Sequence, residues 1–188
     1  MKYELTNKTI EVNGKTLHQI LALIDVRLGV VAGDLGGWIE SPANLDQEGS
    51  AWVFGSAQVS GAARVSGDAR VSGDARVSGD AWVFGAAQVF GAARVFDDAR
   101  VSGDAWVSGD ARVSGAKHLC TFSGFGSANR TTTAYTTETG IGVTCGCFTG
   151  TLAKFREKVV ETHGETSKHG RLYLGIANLI EVRLTPNM

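Results

Sequence analysis

The chain is expected to be a mainly β protein: a triangular β-solenoid closed by an N-terminal β segment and a small C-terminal α+β module. Three observations predict this. From Ala51 to Gly115, valine recurs every six residues, from Val53 to Val113. Alanine stands two residues before each valine. Glycine stands two residues after it, except where Asp97 takes its place. A period of six does not match the 3.6 of a helix, and valine and glycine are poor helix formers. A short fixed period instead marks a repeat architecture. Residues two apart on a strand share a face, so each Ala–Val pair points inward. Glycine takes the corner, where a left-handed backbone is tolerated. Three such hexads close one turn of about 18 residues.

Residues 1–38 are expected to cap the first coil. Tyr3, Leu5, Ile10 and Val12 alternate loosely with polar residues, and Asn13-Gly14 predicts a tight hairpin turn. Leu17, Ile20, Leu21, Leu23 and Ile24 form an apolar cluster expected to be buried. A cap is needed because an open solenoid end exposes core and unpaired strand edges.

Residues 39–116 form the coil. Ile39, Leu45 and Val53 lead into it, with Ala43 and Ala51 two residues ahead of their partners. Leu45 and Val53 are eight apart rather than six, which places a two-residue insertion near Gln47-Glu48. The regular part makes about 3.7 turns and a rod on the order of 18 Å long. The residues between Ala and Val point outward and sort into three faces. Trp52, Phe54, Phe90 and Trp106 fall on one face and read as a subunit contact. Arg76, Arg94 and Arg112 stack on another. This ladder is expected to be neutralised by Asp74, Asp110 and their neighbours, the alternative being an anion site.

Residues 117–188 predict a β-β-β-α-α module. The strands are His118 to Ser123, Thr131 to Thr137 and Ile141 to Phe148, with a loop from Gly124 to Arg130. One helix starts at Thr151 and carries Leu152, Phe155 and Val159 on one face, ending near Gly164. A second, capped by Ser167, carries Leu172, Ile176, Leu179 and Ile180.

The coil resembles the hexapeptide-repeat left-handed β-helix family, in which an aliphatic residue is followed four positions later by a small one. Val53 with Ala57 and Val71 with Ala75 fill those roles. The resemblance implies a left-handed coil and a homotrimer of rods packed side by side. The residue after each valine is Ser or Phe here, a departure from the family's Gly, Ala, Asp or Glu. The GDLGGWIES lead-in resembles a group of phage and prophage proteins. So does TCGCFTGTL with Phe155, Val159, Thr162-His163-Gly164 and Tyr173. That resemblance implies work in a bacterial host, such as counter-defence by sequestering a nucleotide signal or blocking a host defence protein.

Composition narrows the function classes. The net charge is −1, so neither nucleic acid nor a membrane surface is expected as partner. No apolar run is long enough for a membrane span, and MKYELTNKTIEVNG lacks a signal-peptide core. Three cysteines, an odd number, fit reduced thiols in the cytoplasm.

Three chemistries come into question. Acyl transfer, common among hexapeptide coils, needs a histidine base near the coil. Residues 51–116 contain no His, Lys, Cys or Glu, and only His118 lies at the exit. A metal would draw on Cys145, Cys147 and His163. The C-x-C spacing is tight for zinc, and the preferred reading is two packed thiols and no metal. A small-ligand pocket would gather Ser127, Asn129, Arg130, Thr131 and Thr133 at a Gly-rich loop. Thr149 and Thr151 would add backbone N–H groups at a helix start, with Lys154 as a further cation. The leading expectation is a non-catalytic, cofactor-free, oligomeric binding protein for a small anionic ligand. An acyltransferase-like enzyme and a structural polymer are the alternatives.

Overall fold

The structure, a computed structural model, describes residues 1–126 and 128–185. Its centre is the solenoid, with two-residue strands β4 to β14, one per hexad, from Trp52–Val53 to Arg112–Val113. Each residue pairs in parallel with the one 18 positions along: Gln88 with Trp106, Arg94 with Arg112, Arg100 with Trp82. Three sheets result, one per side of a triangle. Every repeat Ala and Val is buried, so the core is a stack of small Ala–Val layers. The tight corner explains the glycines. At Gly73 φ is +67°, and an added Cβ would meet the Gly91 nitrogen of the next turn at 3.0 Å. Asp97 takes the same left-handed conformation, with φ 54°.

The insertion before the regular coil has a structural use. Leu45 bridges Val65 in parallel, one turn plus the two extra residues away. The Gln47 side chain accepts from the Lys2 N–H at 2.7 Å and donates to the Tyr3 carbonyl at 3.2 Å, clasping the N-terminus. Pro42–Asn44 is a single 3₁₀ turn rather than strand. Ala43 is therefore exposed, and Asn44 is buried in its place. Asn44 Oδ1 accepts from the Ser41 N–H at 2.8 Å. Its Nδ2 donates to the carbonyls of Gly61 at 2.9 Å and Ala63 at 2.8 Å.

The cap is a hairpin, β1 (Tyr3–Val12) and β2 (Lys15–Ala22), followed by β3 (Leu35–Ile39). Asn13 and Gly14 both have positive φ, 52° and 74°, as a two-residue hairpin turn requires. β2 pairs antiparallel with β3, and β3 pairs in parallel with the coil strand Gln58–Val59. The expected boundary after residue 38 thus falls inside β3, and cap and coil share one sheet. Leu17 and Ile20 are buried as expected, but Leu23 and Ile24 are exposed. Beyond Ala22 the chain covers the coil end with Val26 and Val30 instead.

The cap also overturns one surface assignment. Trp52 is 1 % exposed, with the Tyr3 ring edge-on at 6.2 Å, and Phe54 is half-buried against the core. Trp52 is therefore not available as a subunit contact. Its solvent-facing position in the repeat is covered by the N-terminal strand.

Lys2 is buried beneath the cap and donates to the Ala51 carbonyl at 3.0 Å and the Glu48 carbonyl at 3.2 Å. Burial pulls its ammonium down from 10.5 to about 8. Tyr3 donates to the Leu45 carbonyl at 2.7 Å, and burial pushes its phenol up from 10.0 to about 12. Between pH 8 and 10.5 the unfolded chain holds a Lys2 proton that the folded chain has released, so stability rises with pH. Above pH 10 the folded chain keeps a Tyr3 proton that the unfolded chain loses, so stability falls. The urea midpoint is expected to climb from pH 8 toward 10 and then turn over. Lys2→Met should flatten the rising limb; an equally steep rise in that variant would contradict the assignment.

The C-terminal module has β15 (Leu119–Phe125), β16 (Arg130–Thr137), β17 (Gly140–Cys145) and β18 (Phe148–Thr151), paired antiparallel in that order. Helices α1 (Leu152–His163) and α2 (Lys168–Leu184) follow. The expected third strand is two, because Gly146, with φ 59°, and Cys147 turn the chain back. The module is β-β-β-β-α-α. Its sheet has two working sides. Tyr135 joins the solenoid core, whereas Ala134 and Val143 join the helix core with Phe155, Tyr173 and Ile180. The threonines make the joint. Trp106 N–H donates to Thr133 Oγ1 at 3.1 Å, and Thr144 Oγ1 donates to the Trp106 carbonyl at 2.7 Å. Tyr135 and Ser108 share a hydrogen bond of 2.9 Å. These bonds engage the open end of the coil at Trp106 and Ser108. Among the described residues no helix is long and apolar enough to cross a membrane.

Candidate functional site

Docking the module on the coil creates a cleft of about 710 Å³. Asp104 and Trp106 come from the coil. Asn129, Arg130, Thr131, Thr144, Gly146 and Cys147 come from the module. Each wall has a local cause. Trp106 occupies an outward repeat position, 37 % exposed, edge-on to Phe90 at 6.2 Å. Asn129 takes a left-handed turn, φ 52°, that starts β16 at Arg130. The Arg130 guanidinium lies against Gly146, where any side chain would collide with it. Arg130 forms no ion pair among the described residues. The cleft therefore combines an aromatic face, an unpaired cation, an amide and a carboxylate.

The residues expected to form one pocket are split. Asn129, Arg130 and Thr131 are brought together. Thr133 is buried and serves the joint through its bond to the Trp106 N–H. Thr149 is level with Thr144, and Thr151 with Gly142, so the helix start lies at the far end of the sheet from Arg130. Thr151 Oγ1 caps α1 by accepting from the Lys154 N–H at 3.3 Å. The expected anion site spanning Thr149, Thr151, Lys154 and Arg130 is thus not assembled. The N–H groups of the α1 start and the Arg130 cation point to different places. Ser127 lies outside the described residues. Trp106 and Asp104 were missed as pocket residues. Their repeat positions equal those of every other coil, and only the docked module distinguishes them.

A larger groove, about 1650 Å³, lies where the coil exit meets α2, lined by Arg112, Lys117, His118, Thr151 and Arg183 among others. Most of its polar groups are already engaged. Arg112 pairs with Glu138, Arg183 donates to the Ala116 carbonyl at 3.0 Å, and Ser114 and His118 share a bond of 2.8 Å. Lys117 in that groove, like Arg130 in the smaller cleft, forms no ion pair among the described residues; the smaller cleft differs in setting a guanidinium beside an indole ring.

The basic ladder differs from expectation. Arg94 lies opposite Arg76 and Arg112 as predicted. Asp74, however, accepts from the Ser56 hydroxyl at 2.8 Å, and Arg112 pairs with Glu138 rather than Asp110. Arg76 and Arg94 form no ion pair among the described residues.

The thiols do not converge. Cys145 ends β17 and accepts from Thr132 Oγ1 at 3.2 Å, while Cys147 sits exposed in the following turn. The turn breaks the alternation that would have put both sulfurs on one side. His163 instead stacks on Tyr173, centroids 5.5 Å apart. Among the described residues no group of three or more His, Cys, Asp or Glu could hold a metal ion. Burial, then Cys145, raises the Tyr173 phenol above its ordinary value, which keeps it a hydrogen-bond donor.

A family model described as the YdcK β-solenoid repeat matches residues 57–73, 63–78, 69–85 and 93–109. The chain is a β-solenoid repeat protein. The matches lie within the solenoid and leave the cap and the C-terminal module of this β-solenoid protein outside. Comparison with curated proteins gives no match. The cleft, most of it built by the module, accordingly rests on its own geometry.

Proposed function

We propose that this β-solenoid protein is a non-catalytic binding module that captures a small anionic, nucleotide-like ligand between coil and C-terminal module. One observation carries the reading: Arg130, which forms no ion pair among the described residues, and the half-exposed Trp106 line the same cleft. An aromatic face accepts a base by stacking, and a free guanidinium accepts a phosphate in bidentate fashion. Asp104 and Asn129 would read base or sugar edges. Capture without turnover fits a regular coil, residues 51–116, that lacks His, Lys, Cys and Glu. The resemblance of the GDLGGWIES and TCGCFTGTL stretches to phage and prophage proteins supports sequestration of a host signal in counter-defence. Native mass spectrometry of protein purified from bacterial cells tests this. Extra mass of a nucleotide on each chain supports capture. A bare chain that also fails to bind added nucleoside diphosphates in calorimetry would sink it.

The assembly in this reading is a side-by-side trimer. Phe90 and Trp106 are engaged edge-on with one another, so the contact is assigned to charge instead. Around an axis parallel to the rod, residues of one turn lie at equal heights in every copy. Arg76 then meets the neighbour's Asp80, and Arg94 its Asp98, on rungs about 4.8 Å apart. Arg76→Glu with Arg94→Glu is expected to dissociate the trimer in native mass spectra. Restoring it with Asp80→Arg and Asp98→Arg would tie the effect to these pairs, whereas an undisturbed trimer would discard them.

A further inference from the structure

The loop joining β2 to β3 has an apolar outer surface. Leu23, Ile24, Leu28, Val31 and Leu35 are exposed by 38, 52, 101, 51 and 56 %. The loop is nevertheless held firmly. Ala22 N–H donates to the Asp34 carbonyl at 2.9 Å, Val26 N–H to the Val30 carbonyl at 3.0 Å, and Val30 is buried. Its charged side chains are engaged within the fold. Asp25 accepts from the Ala32 N–H at 3.0 Å and Asp34 from the Val31 N–H at 2.8 Å. Arg27 donates to the carbonyls of Ser50 at 2.9 Å and Asp68 at 3.2 Å. Five apolar side chains thus stand on a rigid base. A solenoid's terminal cap needs a polar outer face to remain soluble alone. This cap breaks that rule.

We propose that the outer surface of the N-terminal cap docks the same surface of a second copy across a two-fold axis, joining two rods end to end. Charge selects the occupant. In an isologous contact the patch meets itself, residue i against j and j against i, so a patch of one charge sign repels itself, whereas an apolar patch whose few charges are engaged within the fold is self-complementary. A lipid surface fits less well. The loop carries two carboxylates and one guanidinium, and that guanidinium is turned onto coil carbonyls, away from any headgroup. Strand addition at the neighbouring edge is blunted too, because β1 shifts register between Leu5 and Thr9.

The test is the mass of the full chain in solution, by light scattering and native mass spectrometry, for wild type and for Leu28→Asp with Val31→Asp. An even number of chains in the wild type, halved in the variant, is the expected result, whatever number of rods associate side by side. Circular dichroism and nucleotide binding at the remote cleft should not change, which separates this surface from the proposed ligand site. Should the double variant fail to fold, Leu28→Asp alone carries the test, since that side chain is fully exposed. An odd number of chains in the wild type, or an unchanged mass in a folded variant, overturns the proposal. Leu28-dependent sedimentation with phosphatidylcholine–phosphatidylglycerol vesicles also overturns it, and assigns the patch to lipid.

Discussion

Replacing Asn44 by alanine is expected to destabilise the fold by about 2–4 kcal/mol, because one buried and two partly buried backbone groups lose their partner at once. Those groups are the Ser41 N–H and the carbonyls of Gly61 and Ala63. Each unsatisfied group costs on the order of 1–3 kcal/mol, and the small void adds to it. The site is also where order enters the solenoid. The lead-in segment has no regular strand at this level, and the Asn44 amide supplies the missing ladder bonds from a 3₁₀ turn. Asn44→Asp should fare no better, since a carboxylate would face two carbonyl oxygens with no proton to donate. Urea unfolding followed by circular dichroism reads both variants. A loss below about 1 kcal/mol for Asn44→Ala would mean that water replaces the amide and that the clasp is dispensable.

The second large effect concerns the cleft. Arg130→Ala is expected to weaken binding of a nucleoside diphosphate 10- to 100-fold, the value of a charge-assisted hydrogen bond of about 1.5–3 kcal/mol. Trp106→Leu keeps apolar contact with Phe90 but removes the stacking face, and a similar loss is expected from about 1–3 kcal/mol of stacking. The two variants separate by ligand. Inorganic pyrophosphate has no base, so its binding should respond to Arg130 and not to Trp106. Equal sensitivity of pyrophosphate to both changes would show that Trp106→Leu acts by disturbing the joint through its N–H to Thr133. Indifference of both ligands to Arg130→Ala would remove the cleft as the site.

Much of the fold was legible because a six-residue period leaves few solutions. An inward Ala–Val pair and a left-handed glycine corner determine one hexad, and repetition determines the rest. The Asn13-Gly14 turn and the caps at Thr151 and Ser167 were equally local, and the structure places all three. Errors gathered where the chain leaves the period. Gly146 and Cys147 divide an apparent strand, because a positive-φ glycine beside one further residue suffices for a hairpin turn. Leu23 and Ile24 read as core by hydropathy but lie outside it, since the coil end is small and Val26 and Val30 already fill it.

The sequence by itself therefore determined the repeating scaffold, its triangular cross-section, the stacked arginines and the absence of an acid–base pair in the coil. Only the tertiary structure decided which repeat positions differ from their equivalents. Trp52 and Trp106 occupy the same place in the repeat, yet one is sealed under Tyr3 and the other lines a cleft. The reason is physical: a repeat encodes contacts at a fixed offset of one turn. What lands on either end of the stack is determined by non-local docking, through Tyr3 and Gln47 below and Thr133, Tyr135 and Thr144 above.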